Sequence, residues 1–292
     1  MWPKFELLTP STISEASELS MSYGQNARYL AGGTDLFVQM HEKKLAMNYL
    51  IDLTGISDIA GINVLPDGSA KIGSLTTFTE IVNNDYICNN YPALVDAASK
   101  VGSVQVRNLA TIGGNLCNAI PSADSAPALM ACNAQVEISD GKKNRNLPLE
   151  QFLLGVRKTA LNPGELLSAI FMPPPVKNFA SAYYKFSRRK AMDLALLGVA
   201  VSMTVENNIF SDVRIALGTA APTAIRVREA EDFMRNKPLS DEIIIEAAKL
   251  AASVSNPRSS YRASGKYRKQ LIQSLIPRVF ATARERHERK VG

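Results

Sequence analysis

Apolar residues along this chain switch repeatedly between helical spacing and strict alternation, and glycine or proline clusters mark the switches. TPSTISEASELS reads as a helix start, with Ser11 or Thr12 as cap and Glu15 in the first turn. ARYLA reads as a strand running into Gly32 and Gly33, a helix follows over 35–39, and MNYLIDLTGI supplies a second short strand. INVLPDGSAKIGSLTT predicts a hairpin around PDGS, and AQVEISDGKKNRNLPL predicts another with Asp140 and Gly141 at its turn. Between them TFTEIVNN and PALVDAASKV read as helices, and QVRNLATIGGNL as a strand with a glycine turn. Pro173, Pro174 and Pro175 mark a linker. Beyond it, SAYYKFSR, LALLGVAVSMTVEN and IFSDVRIALGTAA read as three strands. SDEIIIEAAKLAASV then predicts a helix capped by Ser240, and YRKQLIQSLIPRVFATARERHERK a long amphipathic one with Pro277 placed to kink it. Helix and strand interleave irregularly, which predicts an α+β chain of three units, 1–57, 58–175 and 176–292.

Composition narrows the function classes. The 292 residues are 46% hydrophobic and 21% charged, the balance of a soluble globular protein. A net charge of +6 does not call for nucleic acid, and no basic-aromatic stripe is present. Part of the excess lies in ARERHERK, which reads as a solvated helix end, or as a docking surface for an acidic partner. No apolar run approaches the ~20 residues of a membrane span, and MWPKFELLTP lacks the pattern of a signal peptide, so a cytoplasmic protein is expected. Cys88, Cys117 and Cys132 show no CxxC spacing, and with only two histidines the chain predicts no metal or iron–sulfur site of its own.

The candidate chemistry sits at two Gly-Gly turns, YLAGGTDLF and ATIGGNL. Bare amides at such turns carry partial positive charge, and glycine lets a phosphate approach them. Thr34 and Thr111 add hydroxyls, Asn115 an amide, and Asp35 a cap for the next helix. Two turns from two units are suited to hold a diphosphate between them; equally, each is explained as a tight turn alone. GxGxxG and GxxxxGK[ST] are both absent, so any dinucleotide is held by a fold other than the Rossmann or P-loop type.

LAGGTDL, IGSLTTFTEI, VRNLATIGGNL with SADSAPAL, and then YYKFSRRKAMD, LGTAAPTAIR and SSYRASGKYRKQLI, in that order, resemble the flavin subunits of the xanthine dehydrogenase family of molybdenum hydroxylases. The resemblance covers essentially the whole chain and looks strongest to the stand-alone bacterial flavin subunits of purine dehydrogenases. It implies two N-terminal subdomains of the vanillyl-alcohol-oxidase type clasping FAD, closed by a C-terminal α+β domain with a three-stranded antiparallel sheet. Carried over residue by residue, it implies cofactor contacts at Tyr29, Leu30, Ala31, Gly32, Gly33, Thr34, Asp35 and Leu36, and at Thr111, Ile112, Gly113, Gly114 and Asn115. It adds Asp124, a backbone contact at Leu166, and Tyr184 and Lys185 beside the ring. A cation such as Lys185 near flavin N1 and O2 raises the reduction potential. Arg188 and Arg189 read as surface or subunit contacts, Arg107 as a brace for its loop, and Tyr183 as core.

The resemblance further implies an electron-transfer subunit with no catalytic acid, base or nucleophile of its own. Electrons from a purine hydroxylated on a molybdopterin-binding large subunit would pass through two [2Fe-2S] clusters of a small subunit to FAD here, then to NAD or another acceptor. A self-sufficient FAD oxidoreductase and a non-enzymatic nucleotide-binding protein are the competing readings. Neither nucleic acid nor membrane is an expected partner.

Overall fold

The computed structural model describes residues 4–291; the outer ends of the predicted units 1–57 and 176–292 lie outside the described residues. The chain opens with β1 (Glu6–Leu8), α1 (Ile13–Tyr23), β2 (Ala27–Leu30), α2 (Leu36–His41) and β3 (Tyr49–Asp52). These form a parallel sheet in the order β1-β3-β2. Thr12 caps α1 by accepting from the Glu15 amide at 3.1 Å, while Glu15 Oε2 accepts from the Ser11 amide at 2.8 Å.

The next stretch contains β4 (Ile62–Val64), β5 (Ala70–Gly73), α3 (Phe78–Val82), α4 (Asp85–Asn90), α5 (Pro92–Ser99), α6 (Val104–Arg107), α7 (Ile112–Asn118) and α8 (Ser125–Ala131). It continues through β6 (Gln135–Ser139), β7 (Asn144–Pro148), α9 (Leu149–Phe152), β8 (Leu153–Gly155), β9 (Lys158–Thr159) and β10 (Leu166–Met172). A five-stranded sheet runs β4-β5-β10-β6-β7, with every pair antiparallel. Both expected hairpins are there; the first closes through the Leu65 amide on the Ser69 carbonyl at 2.8 Å, with Gly68 at φ +82°. QVRNLATIGGNL, expected as a strand, is instead two short helices. The Ser103 hydroxyl accepts from the Val106 amide at 3.3 Å and Thr111 from the Gly114 amide at 3.1 Å, and these caps override an apolar alternation too short to fix a strand.

The last stretch holds β11 (Phe179–Phe186), β12 (Leu197–Glu206), β13 (Ile209–Gly218), β14 (Ile225–Arg226), α10 (Arg228–Met234), α11 (Asp241–Val254) and α12 (Gly265–Val291). Its antiparallel sheet runs β11-β12-β13-β14 and so carries a fourth, two-residue strand that the apolar pattern does not reveal. β12 is buried from Leu197 to Val205 because both sheet faces are covered. Leu197, Val199, Val201 and Met203 pack with the residues of α11 and α12, whereas Ala200 joins the core of the five-stranded unit. Ser202 Oγ, on that same side, donates to the Ala131 carbonyl at the end of α8 at 2.7 Å. α11 buries Ile244, Ala247, Ala248, Ala251 and Ala252, the stripe that helical spacing predicts, and α12 continues on both sides of Pro277.

Ion pairs join the last unit to the one before it. Glu231, 1% exposed, accepts from Arg226 Nε at 3.0 Å and Nη2 at 2.5 Å and from the Ile215 amide at 2.9 Å. Glu150 of α9 takes Arg228 at 2.6 Å and stands 3.7 Å from Arg226. Glu231→Ala leaves the buried Arg226 guanidinium only the longer contact with Glu150, and is expected to lower unfolding free energy by about 3 kcal/mol. Urea unfolding checks this: an unchanged midpoint would show that the pair adds nothing.

Candidate functional site

The first glycine turn leaves β2 after Leu30, which is buried with Met40 and Leu50, and runs through 31–35 into α2. Two features shape it. A Cβ on Gly32 would lie 1.8 Å from the Leu109 carbonyl oxygen, so only bare backbone lies this close to the strand-free segment before α7. Gly33 has φ +70°, and a Cβ there would meet the Phe37 ring at 2.6 Å. The Phe37 amide donates to the Gly33 carbonyl at 3.0 Å and the Gln39 amide to Asp35 at 3.1 Å, which starts the helix. Among the described residues, the amides of Gly33, Thr34, Asp35 and Leu36 donate to no acceptor. Such a run of unpartnered amides is suited to cradle an anion.

The second turn differs from the expectation of bare amides. Ile112 donates to the Thr76 carbonyl at 2.9 Å, Gly113 to Ser74 at 2.9 Å, Gly114 to Thr111 Oγ1 at 3.1 Å and Asn115 to the Thr111 carbonyl at 3.0 Å. It is a capped helix start seated on the exit of β5, and Gly113 is there for packing: a Cβ would fall 2.5 Å from Ser74 Cβ. A Cβ on Gly114 would meet no backbone, only Thr111 Oγ1 at 2.9 Å and Ala31 Cβ at 4.0 Å, so the two turns adjoin. Asn115 Oδ1 accepts from Ser125 Oγ at 2.7 Å, which ties the second turn to the start of α8.

A charged cluster lies at the start of α8. Asp124, 6% exposed, precedes α8; its Oδ1 accepts from the Tyr183 hydroxyl at 2.6 Å and its Oδ2 from Lys185 Nζ at 2.8 Å. Lys185 also donates to the Lys100 carbonyl at 3.0 Å, leaving one N–H, and the carboxylate keeps free lone pairs. Burial raises the Asp124 pKa, while Lys185 and Tyr183 pull it back. Burial and the adjacent carboxylate raise the Tyr183 pKa, so its hydroxyl stays a donor. Asp96 of α5 accepts from the Tyr183 amide at 3.1 Å and from Arg286 of α12 at 2.7 and 2.9 Å, which anchors this wall from behind. A Cβ on Gly198 would come 2.8 Å from the Tyr183 hydroxyl, so that glycine makes room for the ring.

The remaining candidates divide by what they offer. Tyr29, Leu30, Ile112 and Leu166 turn their side chains inward: Tyr29 donates to the Gly164 carbonyl at 3.2 Å, and Leu166 packs with Ile51, Leu53 and Ile59. They contribute backbone and shape. Tyr184 and Lys185 leave β11 on opposite faces, and Tyr184 is 48% exposed. Tyr183, which the sequence places in the core, is buried but also holds the key carboxylate. The signal was present: strand alternation puts residues 183 and 185 on one face. Arg107 donates to the Val101 carbonyl at 3.0 Å and braces its loop, while Arg188 and Arg189 are exposed on a turn organised by Asp193. Burial pushes the Cys132 thiol up to about 12, and among the described residues no three His, Cys, Asp or Glu group to hold a metal. A cavity of about 500 Å³ between Asn90, 175–179 and Lys290 shares no residue with the glycine turns or the Asp124 cluster.

Residues 3–175 match the family described as FAD binding domain in molybdopterin dehydrogenase, and residues 182–283 match the CO dehydrogenase flavoprotein C-terminal domain. The chain is 36% identical over 274 residues to a xanthine dehydrogenase FAD-binding subunit of Escherichia coli O157:H7, covering 94% of each. It is 30% identical over 282 residues to the carbon monoxide dehydrogenase medium chain of Hydrogenophaga pseudoflava, covering 96% and 97%. A solved carbon monoxide dehydrogenase from that organism superposes with a TM-score of 0.94 at 29% identity over 98% of this chain and 99% of that one. Quinoline 2-oxidoreductase from Pseudomonas putida 86 follows at 0.90 and 25%, over 97% and 98%. The free amides and glycine clearances of the first turn and the hydroxyl-accepting Asp124 fit FAD.

Proposed function

The chain belongs to the FAD-binding flavoprotein subunits of the molybdopterin dehydrogenases, and on that premise we propose that it is the electron-exit subunit of a purine-hydroxylating complex of the xanthine dehydrogenase type. FAD, when bound, supplies the chemistry of receiving electrons singly and releasing them as a pair to NAD or another acceptor. This chain's residues bind and orient it. Gly33, Thr34, Asp35 and Leu36 offer their amides to the diphosphate, with Gly32 holding that turn down on Leu109. Ala31, Thr111, Gly113, Gly114 and Asn115 shape the opposite side, Asp124 accepts from cofactor hydroxyls, and Lys185 keeps one N–H for the ring. The units are taken as 1–57, 58–175 and 176–292.

The observation that carries the cofactor reading is the run of unpartnered amides in the first turn. Support for a purine comes from 36% identity to the xanthine dehydrogenase subunit against 30% to the carbon monoxide enzyme. The partners are then a molybdopterin-binding large subunit and a small subunit with two [2Fe-2S] clusters. Among the described residues no helix is long and apolar enough to cross a membrane. Purification from the native source, followed by assay of purines with NAD⁺, tests this reading. Stoichiometric molybdenum and iron–sulfur chains with purine-dependent NADH formation are expected. A flavin-loaded chain that oxidises substrate alone would replace the reading with a self-sufficient oxidoreductase.

Lys185 enters as a cation already paired with Asp124, so its effect on the flavin is that of a donor in a neutral pair. Lys185→Met is expected to lower the flavin reduction potential by about 30 mV, a two-electron shift of about 1.4 kcal/mol. Redox titration of the loaded chain reads it, and an unchanged potential removes that role.

A further inference from the structure

We propose that Arg157 is a positioning residue for the cofactor cleft, a clamp that ties together the helices behind the two glycine turns. Its guanidinium Nη1 donates to Gln39 Oε1 at 2.7 Å and to Asn118 Oδ1 at 3.2 Å. Gln39 lies in α2, the helix that follows the first turn, and its Nε2 donates to the Asp35 carbonyl of that turn at 3.2 Å. Asn118 is the last residue of α7, the helix that follows the second turn. One cation therefore links both.

The local backbone is shaped for this contact. Arg157 sits at the tip of the β8–β9 hairpin with φ +58°, a left-handed conformation that bulky side chains rarely take. Its amide donates at 2.8 Å to the carbonyl of Ala119, itself at φ +45° where α7 ends. The hairpin tip is thereby fixed on the end of α7, and the side chain reaches from there to α2. Arg157 also faces the Asp35 carboxyl, whose pKa is raised by loss of solvent while Arg157 draws it down. α2 follows the first turn directly: the amides of Gly33, Thr34 and Asp35 lie in that turn and Leu36 opens the helix. A link at Gln39 is thus a further fastening for that turn, besides the contact of Gly32 with Leu109 and the Asn118 side chain beside the Asp35 carboxyl. A bridge from a charged donor holds such a geometry more firmly than packing of two short helices alone.

The proposal rests on the reading of the first turn as the diphosphate cradle, and the test separates the two. The full chain is stripped of flavin and rebound to FAD, with the dissociation constant read by flavin fluorescence. Arg157→Asn is the informative variant, because asparagine tolerates the left-handed backbone but cannot reach Gln39. It is expected to weaken FAD binding about tenfold. Gln39→Ala, which also removes its own bond to the Asp35 carbonyl, is expected to weaken binding at least as much, and the double variant to fall short of the sum of the two losses, since both break the shared link. The melting temperature of the flavin-free chain stays unchanged. Wild-type affinity in Arg157→Asn, additive losses, or a loss that merely follows a lower melting temperature would overturn the clamp. Gly33→Val is run alongside: if it too binds FAD normally, the cradle reading falls and the clamp with it. If only Gly33→Val loses flavin, the clamp alone falls.

Discussion

Gly32→Ala is expected to leave the chain folded but nearly free of flavin, with FAD affinity reduced by at least about 100-fold, or about 2.7 kcal/mol. The added methyl carbon would stand 1.8 Å from the Leu109 oxygen, far inside van der Waals contact. Leu109 is not free to retreat. Its amide and that of Ala110 both donate to the Val106 carbonyl, at 3.1 and 2.7 Å, and the Ala110 carbonyl accepts from the Phe78 amide at 3.1 Å. The first turn must therefore lift, and its four free amides lift with it. Gly114→Ala is the contrast: the nearest atom is the Thr111 hydroxyl at 2.9 Å, a side chain and not backbone, so the adjustment stays within the cap of α7 and leaves the first turn in place. Gly33→Val falls with Gly32→Ala, because φ +70° strains a β-branched residue as well. Flavin released on denaturation, measured by fluorescence against protein concentration, reads all three. Full flavin content in Gly32→Ala would refute the role assigned to the first turn.

Lys185→Met is expected to destabilise the fold by about 3 kcal/mol at neutral pH, the usual scale for removing one partner of a buried pair. The Lys185 and Asp124 side chains are 8% and 7% exposed. Without the ammonium, Asp124 keeps only the Tyr183 hydroxyl, and its pKa, already raised by burial, rises further. The sign of the pH dependence follows. A carboxyl whose folded pKa lies above its unfolded value contributes stability that is present in acid and lost as pH rises through the folded pKa. The variant's deficit relative to wild type should therefore be small near the ordinary carboxylate range and grow toward neutrality. Urea midpoints across that range test it; a deficit independent of pH would show that Asp124 does not titrate in response to Lys185.

Much of this architecture is written locally in the chain. The PDGS and Asp140-Gly141 hairpins, the Thr12 and Ser240 caps and the apolar stripe of α11 each depend on neighbours within a few residues, so the sequence displays them. The glycine turns are equally legible as bare backbone, but not in their separate roles. Gly33 exposes amides, whereas Gly113 serves a contact with Ser74, a residue from a different element. The alternation that suggested a strand over QVRNLATIGGNL lost to two side-chain caps. Tyr183 was visible as an apolar strand residue, yet its hydroxyl finds Asp124 only after 59 positions of chain are folded back. Arg157 meets Gln39 across 118 positions, and nothing in its own neighbourhood announces that pairing.

On the function proposed above, the first glycine turn holds the cofactor's diphosphate. Determining the structure of the chain loaded with FAD tests it most directly. Diphosphate oxygens are expected within about 3 Å of the amides of Gly33, Thr34, Asp35 or Leu36. A diphosphate bound elsewhere, with those amides facing only water, would contradict it.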